Sequence, residues 1–504
     1  MFILKAIWEF FATYILRQAP YMIGFITLLG YCLMGKKWYD TLAGTLKAII
    51  GMLILNVGSG GLTSNFRPIL AGLQARFNLT ACVIDPYYGQ NAVTAGVEEV
   101  FGKGFSQAMT LLLIAFIVNI LLVRFNKITK CRTLFTTGHV QVQQAATAYW
   151  LILFALPALR DNNVALMVVM AVILGAYWAV GSNLTVKPMQ ELSEGAGFAI
   201  AHQQMFGIRL GYFLADKLFG SKDGKRQVKK VGELELPGFF SIFNENMVCT
   251  AILMTAFFGV IMAVIGKPFF TNPEMASAYG FSAINESQNF VMYCLNTSLN
   301  FAVYLAILQL GIRTFVTELT ASFQGIADKL LPSSIPGVDC AVCFGFGDSN
   351  AVTLGFLAGL VGQIVAIVIL IVAGSPTIII CGFVPVFFDN ATIGLVANEK
   401  GGLKACLIIP FCSGLIQVFG AAFIAGWVGL AKYGGYLGMF DWDTVWPAFT
   451  VIMRFLGYFG VAIVVIVLLA IPQIEYRMDP EGYFLITEDY EAYVEHKAKK
   501  AAKR

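Results

Sequence analysis

"TIIICGFVPVFFDNATIGLVA", residues 377–397, is apolar over most of its length, yet it carries Gly382, Pro385, Asp389, Asn390 and Gly394. An uninterrupted apolar run of about 20 residues crosses a hydrocarbon core as one helix. Pro and Gly within the run, together with an acid and an amide, predict a broken or re-entrant helix instead. Such a break is tolerated at membrane depth only where the freed backbone is buried in protein or lines a cavity. Residues 340–374 read the same way, being interrupted by Gly345, Gly347, Asp348 and Asn350.

The remaining chain sets these two breaks in a polytopic membrane protein. Hydrophobic residues make up 58% of the 504 and charged residues 13%, with a mean hydropathy of +0.74. Apolar runs near 19–35, 41–61, 105–125, 134–156, 163–184, 246–266, 289–312, 340–374, 377–397, 405–431 and 445–472 predict an all-α fold of about eleven transmembrane helices. Residues 1–17 read as an interfacial amphipathic helix, because no small-residue cleavage site follows them. Alternation of the spans puts the basic segments 124–132 and 222–230 on one side, with Lys36, Lys37, Lys329, Lys400, Lys404 and the basic tail. The opposite loops, 157–162, 267–288 and 432–444, hold one Lys or Arg each. That asymmetry predicts an external N-terminus and a cytoplasmic C-terminus. The net charge of +4 thus reports topology, and its scatter over connecting loops argues against a nucleic-acid partner.

"YYGQNAVTAG" (87–96) and "FGDSNAVTLG" (346–355) share Asn-Ala-Val-Thr-x-Gly at an offset of 346 − 87 = 259 residues. With the alternation above, the match predicts two inverted repeats, roughly 19–240 and 241–435, then a final helix at 445–472 and a charged cytoplasmic tail at 473–504. Inverted repeats place a substrate near the midplane, between broken helices. The longest hydrophilic stretch, about 185–240, is too short for a separate soluble domain.

Polar residues in apolar surroundings are costly, so they are functional candidates by default. Two of the three histidines lie beside glutamines, in "TTGHVQVQQ" (136–144) and "GFAIAHQQMFG" (197–207), while His496 lies in the charged tail, where solvation suffices. The four-residue spacing of His139 and Gln143 puts both on one helix face, able to donate to and accept from a hydroxylated ligand. Interhelical hydrogen bonding is the plainer alternative for any single Gln. "GSGG" (58–61) either permits close helix packing or breaks a helix so that N–H groups and Ser59 face an anion. Asp339 either caps the segment that follows it or presents its carboxylate to a ligand. Asp389 and Asn390 read as groups that brace a break. The ten cysteines form no disulfide or metal framework. The pair Cys340 and Cys343 has no second pair and no His nearby in sequence. Neither a P-loop nor a nucleophile elbow is present, so no cofactor, metal or phosphoacceptor residue is expected.

Taken in order, "GSGGLTSNFRP", "TTGHVQVQQ", "VGSNLTVKPMQELSEGAGFAIAHQQ", "LPGFFSIFNENMVCTAI", "DCAVCFGF" and "GFVPVFFDNATIGLVANEKGG" resemble the ascorbate-specific EIIC permease of the bacterial phosphoenolpyruvate-dependent phosphotransferase system. The resemblance runs to about residue 472. It implies a single EIIC membrane domain over 1–472, with a core transport domain and a V-shaped dimerisation domain, homodimers in the inner membrane, and alternating access by rigid-body motion. It also implies that L-ascorbate is taken up and phosphorylated by a separate cytoplasmic EIIB, itself served by EIIA. By the same resemblance Gly58, Ser59, Tyr87, His139, Gln143, His202, Gln203 and Asp339 contact the substrate. The segments "DPYYGQNAV" and "FGFGDSNAV" and the C-terminal tail depart from the family pattern. A proton- or sodium-coupled secondary transporter, with Asp339 or Glu194 as coupling carboxylate, is the rival reading. A membrane-embedded enzyme is disfavoured by the lack of a nucleophile or metal cluster.

Overall fold

The computed structural model describes residues 9–16, 18–77, 81–104, 106–220, 229–233, 246–329, 331, 334–382 and 384–502. Most of the basic segment 222–230, and residues 1–8 and 17 of the expected interfacial helix, lie outside the described residues.

The described chain is mostly helical, and each expected span coincides with a helix or part of one. In order these are α1 (Ala19–Leu33), α2 (Trp38–Phe77), α3 (Pro86–Phe101), α4 (Ser106–Arg124), α5 (Gly138–Ala155), α6 (Asn163–Leu184), α7 (Val186–Leu192), α8 (Met205–Leu214), α9 (Asn246–Ile265), α10 (Phe290–Lys329), α11 (Ser349–Val372), α12 (Asn390–Trp427), α13 (Phe440–Asp443), α14 (Val445–Met478), α15 (Pro480–Glu488) and α16 (Tyr490–Ala502). Among the described residues, four helical stretches are long and apolar enough to cross a membrane: Asn163–Leu192, Ser349–Val372, Pro385–Trp427 and Phe440–Met478. At 1.5 Å per residue the 22 residues of α6 span roughly 33 Å. Its start is fixed by Asn162, whose side chain accepts from Ala165 N–H at 3.0 Å. α12 holds two expected spans, and the break between them is at Gly402, with φ 62° and ψ −158°.

The all-α expectation needs correction, because the described residues include six short strands: β1 (Ala81–Ile84), β2 (Thr133–Phe135), β3 (Ala199–Ile200), β4 (Ile335–Val338), β5 (Ile378–Cys381) and β6 (Gly435–Tyr436). They pair as two three-stranded parallel sheets, β5-β1-β6 and β2-β4-β3. The reason lies in the broken helices. Extended backbone in an apolar interior must find partners, and the breaks supply them to one another. Expected interruptions at 340 and 377 are β4 followed by a tight helical turn (Cys340–Gly345), and β5 followed by a wide one (Pro385–Asp389).

Each sheet takes its central strand from one half of the chain and both edges from the other. Numbered from the start of each half, both sheets read second, first, third, with the middle strand exchanged. The Asn-Ala-Val-Thr copies do not occupy equivalent places in this order. The first lies in α3, directly after β1; the second opens α11, which leads into β5 as α4, by way of a short helical turn at Asn126–Thr129, leads into β2. Ser106–Leu111 (SQAMTL) and Ser349–Leu354 (SNAVTL) are the segments that correspond.

Helices α1, α2, α9 and α10 pack together as one group, while α3–α6, α8, α11, α12 and α14 pack around the two sheets. The 40-residue α2 and α10 lie side by side. Gly51 lets them approach, since a Cβ there would lie 2.6 Å from Phe315 N, and Gly61 faces the Tyr304 ring. α2 is unbroken through "GSGG", so the N–H groups there are used within the helix. Close packing is the role the structure gives Gly51 and Gly61, whereas Gly60 faces open space.

Candidate functional site

β2, β4 and β3 end side by side. Phe135 and Ala199 both pair with Gly337, and Ile200 pairs with Val338. Beyond the strands, Thr136 N–H donates to Gly337 O at 2.9 Å and Ala201 N–H to Val338 O at 2.8 Å. Glycine is needed at the centre: a Cβ on Gly337 would lie 2.7 Å from Ala201 Cβ and 3.1 Å from the Leu134 carbonyl oxygen. Parallel strands deliver the residues that follow them to one place, as at the strand ends of open α/β sheets. Here those residues are α5 with Gln143, the run Ala201-His202-Gln203-Gln204, and Asp339.

Four of the eight sequence-predicted site residues come together there, each no more than 8% exposed. Gln203 Nε2 donates to Gln143 Oε1 at 2.8 Å. Gln203 Oε1 is a buried acceptor with no hydrogen-bond partner among the described residues. His202 Nδ1 stands 2.8 Å from Gln204 Oε1. Gln204 Nε2 donates to Phe388 O at 3.3 Å, which turns the amide oxygen toward the imidazole. An amide oxygen only accepts, so this network assigns a proton to His202 Nδ1.

Asp339 does both things its sequence context allowed. Oδ1 accepts from Ala341 N–H at 2.9 Å, capping the turn Cys340–Gly345, and the side chain also meets His202. The ligating atoms of His202, Asp339 and Cys340 all lie within 4.8 Å of one another. The fold thus supplies the histidine that the Cys340–Cys343 pair lacks in sequence. Such a nitrogen, oxygen and sulfur set is of the type that holds zinc. The two cysteines do not act together, because Cys343 Sγ turns to Cys340 O at 2.9 Å.

Gln144 and Gln204 carry roles that sequence reasoning did not assign. Gln144 Nε2 donates to His202 O at 3.1 Å and its Oε1 accepts from Trp178 Nε1 at 2.6 Å, pinning the strand end to α6. Both glutamines belong to the same His-Gln stretches, so the signal was present. Of the other predicted residues, His139 lies in the first turn of α5, the helix that carries Gln143, while Gly58 and Ser59 are on α2 and Tyr87 is at the start of α3, after β1 of the other sheet. The side chains of Ser59, Tyr87 and His139 lie outside what the structure describes. An open polar cavity of about 510 Å³ lies elsewhere, between α2 and α10, lined by Asn65, Arg67, Tyr293, Asn296 and Asn300 among others.

Underneath the sheet, the C-terminal segment is folded back. Tyr483 Oη accepts from Asn183 Nδ2 at 2.9 Å and donates to Lys130 O at 2.6 Å, and the Arg132 guanidinium lies 3.6 Å from the Tyr483 ring centre. Glu191 accepts from Tyr212 Oη at 2.6 Å and Tyr493 Oη at 3.2 Å, and pairs with Lys497 at 2.8 Å and with Lys400. His496, expected to be merely solvated, bonds Asp479 at 3.0 Å, as does Lys500 at 2.8 Å. Burial works against the charge on Asp479, but Lys500 and His496 outweigh it and hold the carboxyl below its usual range.

Residues 14–445 match the family of the PTS system sugar-specific permease component, EIIC-GAT. The chain belongs to that family. It is also 32% identical over 444 residues to the ascorbate-specific PTS system EIIC component of Mycoplasma pneumoniae. That alignment covers 81% of this chain and 65% of the relative's length, a little under two thirds. A member of this permease family, with long apolar helices of the kind described above, is a multi-pass membrane protein.

Proposed function

We propose that this permease binds L-ascorbate at the strand ends of β2, β4 and β3 and carries it inward for phosphorylation by a separate cytoplasmic EIIB, itself served by EIIA. The observation that carries the reading is the convergence of Gln143, His202, Gln203 and Asp339 from three distant segments of sequence. Amides and a neutral imidazole both donate and accept, which suits a small polyhydroxylated anion. The ascorbate-specific relative supports the choice of substrate. His139, Ser59, Gly58 and Tyr87 complete the proposed contacts.

The exchanged central strands support two inverted repeats, the second running on through β6. In this reading the sheets and their helices move as one body against the α1, α2, α9 and α10 group, which forms the homodimer contact. The basic loops set the N-terminus outside and the C-terminus in the cytoplasm of the inner-membrane protein. Uptake of labelled L-ascorbate into vesicles loaded with phosphoenolpyruvate and the soluble phosphotransferase proteins tests the proposal. Product should accumulate phosphorylated, and only with the full set. Accumulation of free ascorbate driven by a proton or sodium gradient alone would establish the secondary-transporter reading instead.

A further inference from the structure

The strand ends of β5, β1 and β6 carry a different set of side chains. Beyond β5 lies the turn ending at Asp389, and beyond β6 the helix α13 with Asp441 and Asp443. These three carboxyl groups are buried, Asp443 being the most accessible of them at 3%; directly after β1 stands a fourth, Asp85, also buried, whose Oδ2 accepts from Val384 N–H at 3.4 Å. Asp441 is fully engaged, accepting from Tyr177 Oη at 2.8 Å, Phe206 N–H at 3.0 Å and Gly207 N–H at 3.2 Å. Asp389 Oδ2 accepts from Phe440 N–H at 2.8 Å, while its Oδ1 has no partner among the described residues. Neither oxygen of Asp443 has one.

Among the described residues no opposite charge stands near Asp443. The titratable groups close enough to feel the charge of Asp443 are Asp389, Asp441, Cys82 of β1, Cys381 of β5 and Tyr436 of β6, and none is cationic. The surroundings are tightly packed: Trp442 and Trp446 stack with ring centres 4.5 Å apart, and Gly420 of α12 lies directly against the Asp443 backbone. An ionised carboxylate without a donor is far more costly in such a place than the neutral acid. A bound metal cation wants about six oxygens or more, and three unpartnered carboxyl oxygens do not supply them. A proton needs one.

We propose that Asp443 and Asp389 form a buried proton-binding site, and that its occupancy is linked to ligand binding at the other sheet. The step is release of one proton from a neutral carboxyl to water, and its return. The link is covalent and hydrogen-bonded. Asp441 N–H donates to Gln203 O at 3.3 Å, and Gln204 Nε2 bonds Phe388 O, one residue before Asp389. Movement of the His-Gln-Gln run as a ligand seats therefore pulls on both carboxyl-bearing turns. The link rests on the ligand site proposed above; the proton site does not.

Infrared difference spectroscopy of the purified, ligand-free protein at neutral pH, in light and heavy water, tests the site. A protonated-carboxyl C=O band that is lost in Asp443→Asn is expected. Asp389→Asn, which keeps an acceptor for Phe440 N–H, reads the same band if Asp443→Asn does not accumulate. Absence of a band that depends on either residue overturns the proposal, as does a band that sodium chloride removes and choline chloride does not. Calorimetry with L-ascorbate in buffers of different ionisation enthalpy tests the link: wild type should exchange protons on binding, and Asp443→Asn measurably fewer. Equal proton counts would sever the link. If L-ascorbate does not bind the wild type at all, the ligand reading fails and the infrared result still decides the proton site.

Discussion

At the ends of β2, β4 and β3 stand amides, an imidazole and a carboxylate, joined by the Gln203–Gln143 and His202–Gln204 contacts. At the ends of β5, β1 and β6 stand four carboxyl groups, Asp85, Asp389, Asp441 and Asp443, the last with no hydrogen-bond partner among the described residues. The backbone device is the same in both: a central strand borrowed from the other half of the chain and three parallel ends meeting in an apolar interior. What differs is the handful of residues just past each strand. Parallel pairing fixes where chemistry can stand, and those residues decide which chemistry it is. A polar array that can both donate and accept suits a hydroxylated ligand, whereas a carboxyl group without donors, as at Asp443, suits a proton.

The comparison breaks most readily at Asp441. Asp441→Ala leaves Tyr177 Oη and the Phe206 and Gly207 N–H groups unpaired, at about 1–3 kcal/mol for each buried group. A loss of several kcal/mol in total should appear as a large drop in melting temperature or as failure to accumulate. Stability near wild type would mean that this sheet is not organised by Asp441.

On the first sheet the same kind of truncation should cost binding instead. Gln203→Ala removes the unpaired Oε1 acceptor and strips Gln143 of its partner, for about 1–3 kcal/mol, or roughly 5- to 150-fold in L-ascorbate affinity. Melting temperature should fall less than for Asp441→Ala. Titration calorimetry beside a melting curve separates the two effects, and unchanged affinity would return Gln143 and Gln203 to helix packing.

A smaller effect is expected where only the first sheet is supported from below. Tyr483→Phe deletes the hydroxyl that joins Asn183 to Lys130 O, for about 1 kcal/mol. Faster amide exchange in β2 and the α6 end, with β5 and β1 unaffected, is the expected pattern; uniform change would show that the tail does not brace one sheet selectively. Smallest is the pH response of the tail. Because the folded Asp479 is held below the usual aspartate range, its contribution to docking is present above the unfolded value and is lost as pH falls through the lower, folded one. Exposed pairs of this kind contribute less than about 1 kcal/mol. The distance from a spin label at the exposed Val494 to one on α6 should stay constant through neutral pH and lengthen only in acid.

Much of this was legible in the sequence, in uneven ways. Helix positions followed from apolar run length, and Gly402 divides α12 between the two expected spans. The His-Gln stretches were visible because polar groups stand out in apolar runs, and Gln143, His202, Gln203 and Asp339 do meet. The strands were not legible: segments such as Ala199–Ile200 are two residues long and owe their form to pairing with residues more than a hundred positions away. The same long-range pairing brings His202 beside Cys340. The Asn-Ala-Val-Thr match joins α3 to α11, which hold different places in the order of strands and helices, since a six-residue motif does not record the order of elements around it. Asp389 was read as a brace, which its bond to Phe440 N–H bears out. Its nearness to Asp443 could be seen only in three dimensions.

The most direct measurement is an electron cryomicroscopy structure of the protein saturated with L-ascorbate. Ligand density within about 3 Å of Gln203 Oε1, His202 Nε2 and the Asp339 carboxyl, at the ends of β2, β4 and β3, is the predicted result. Density seated elsewhere, such as in the cavity lined by Asn65 and Arg67, with the His202–Gln203 cluster closed as it is here, would contradict it.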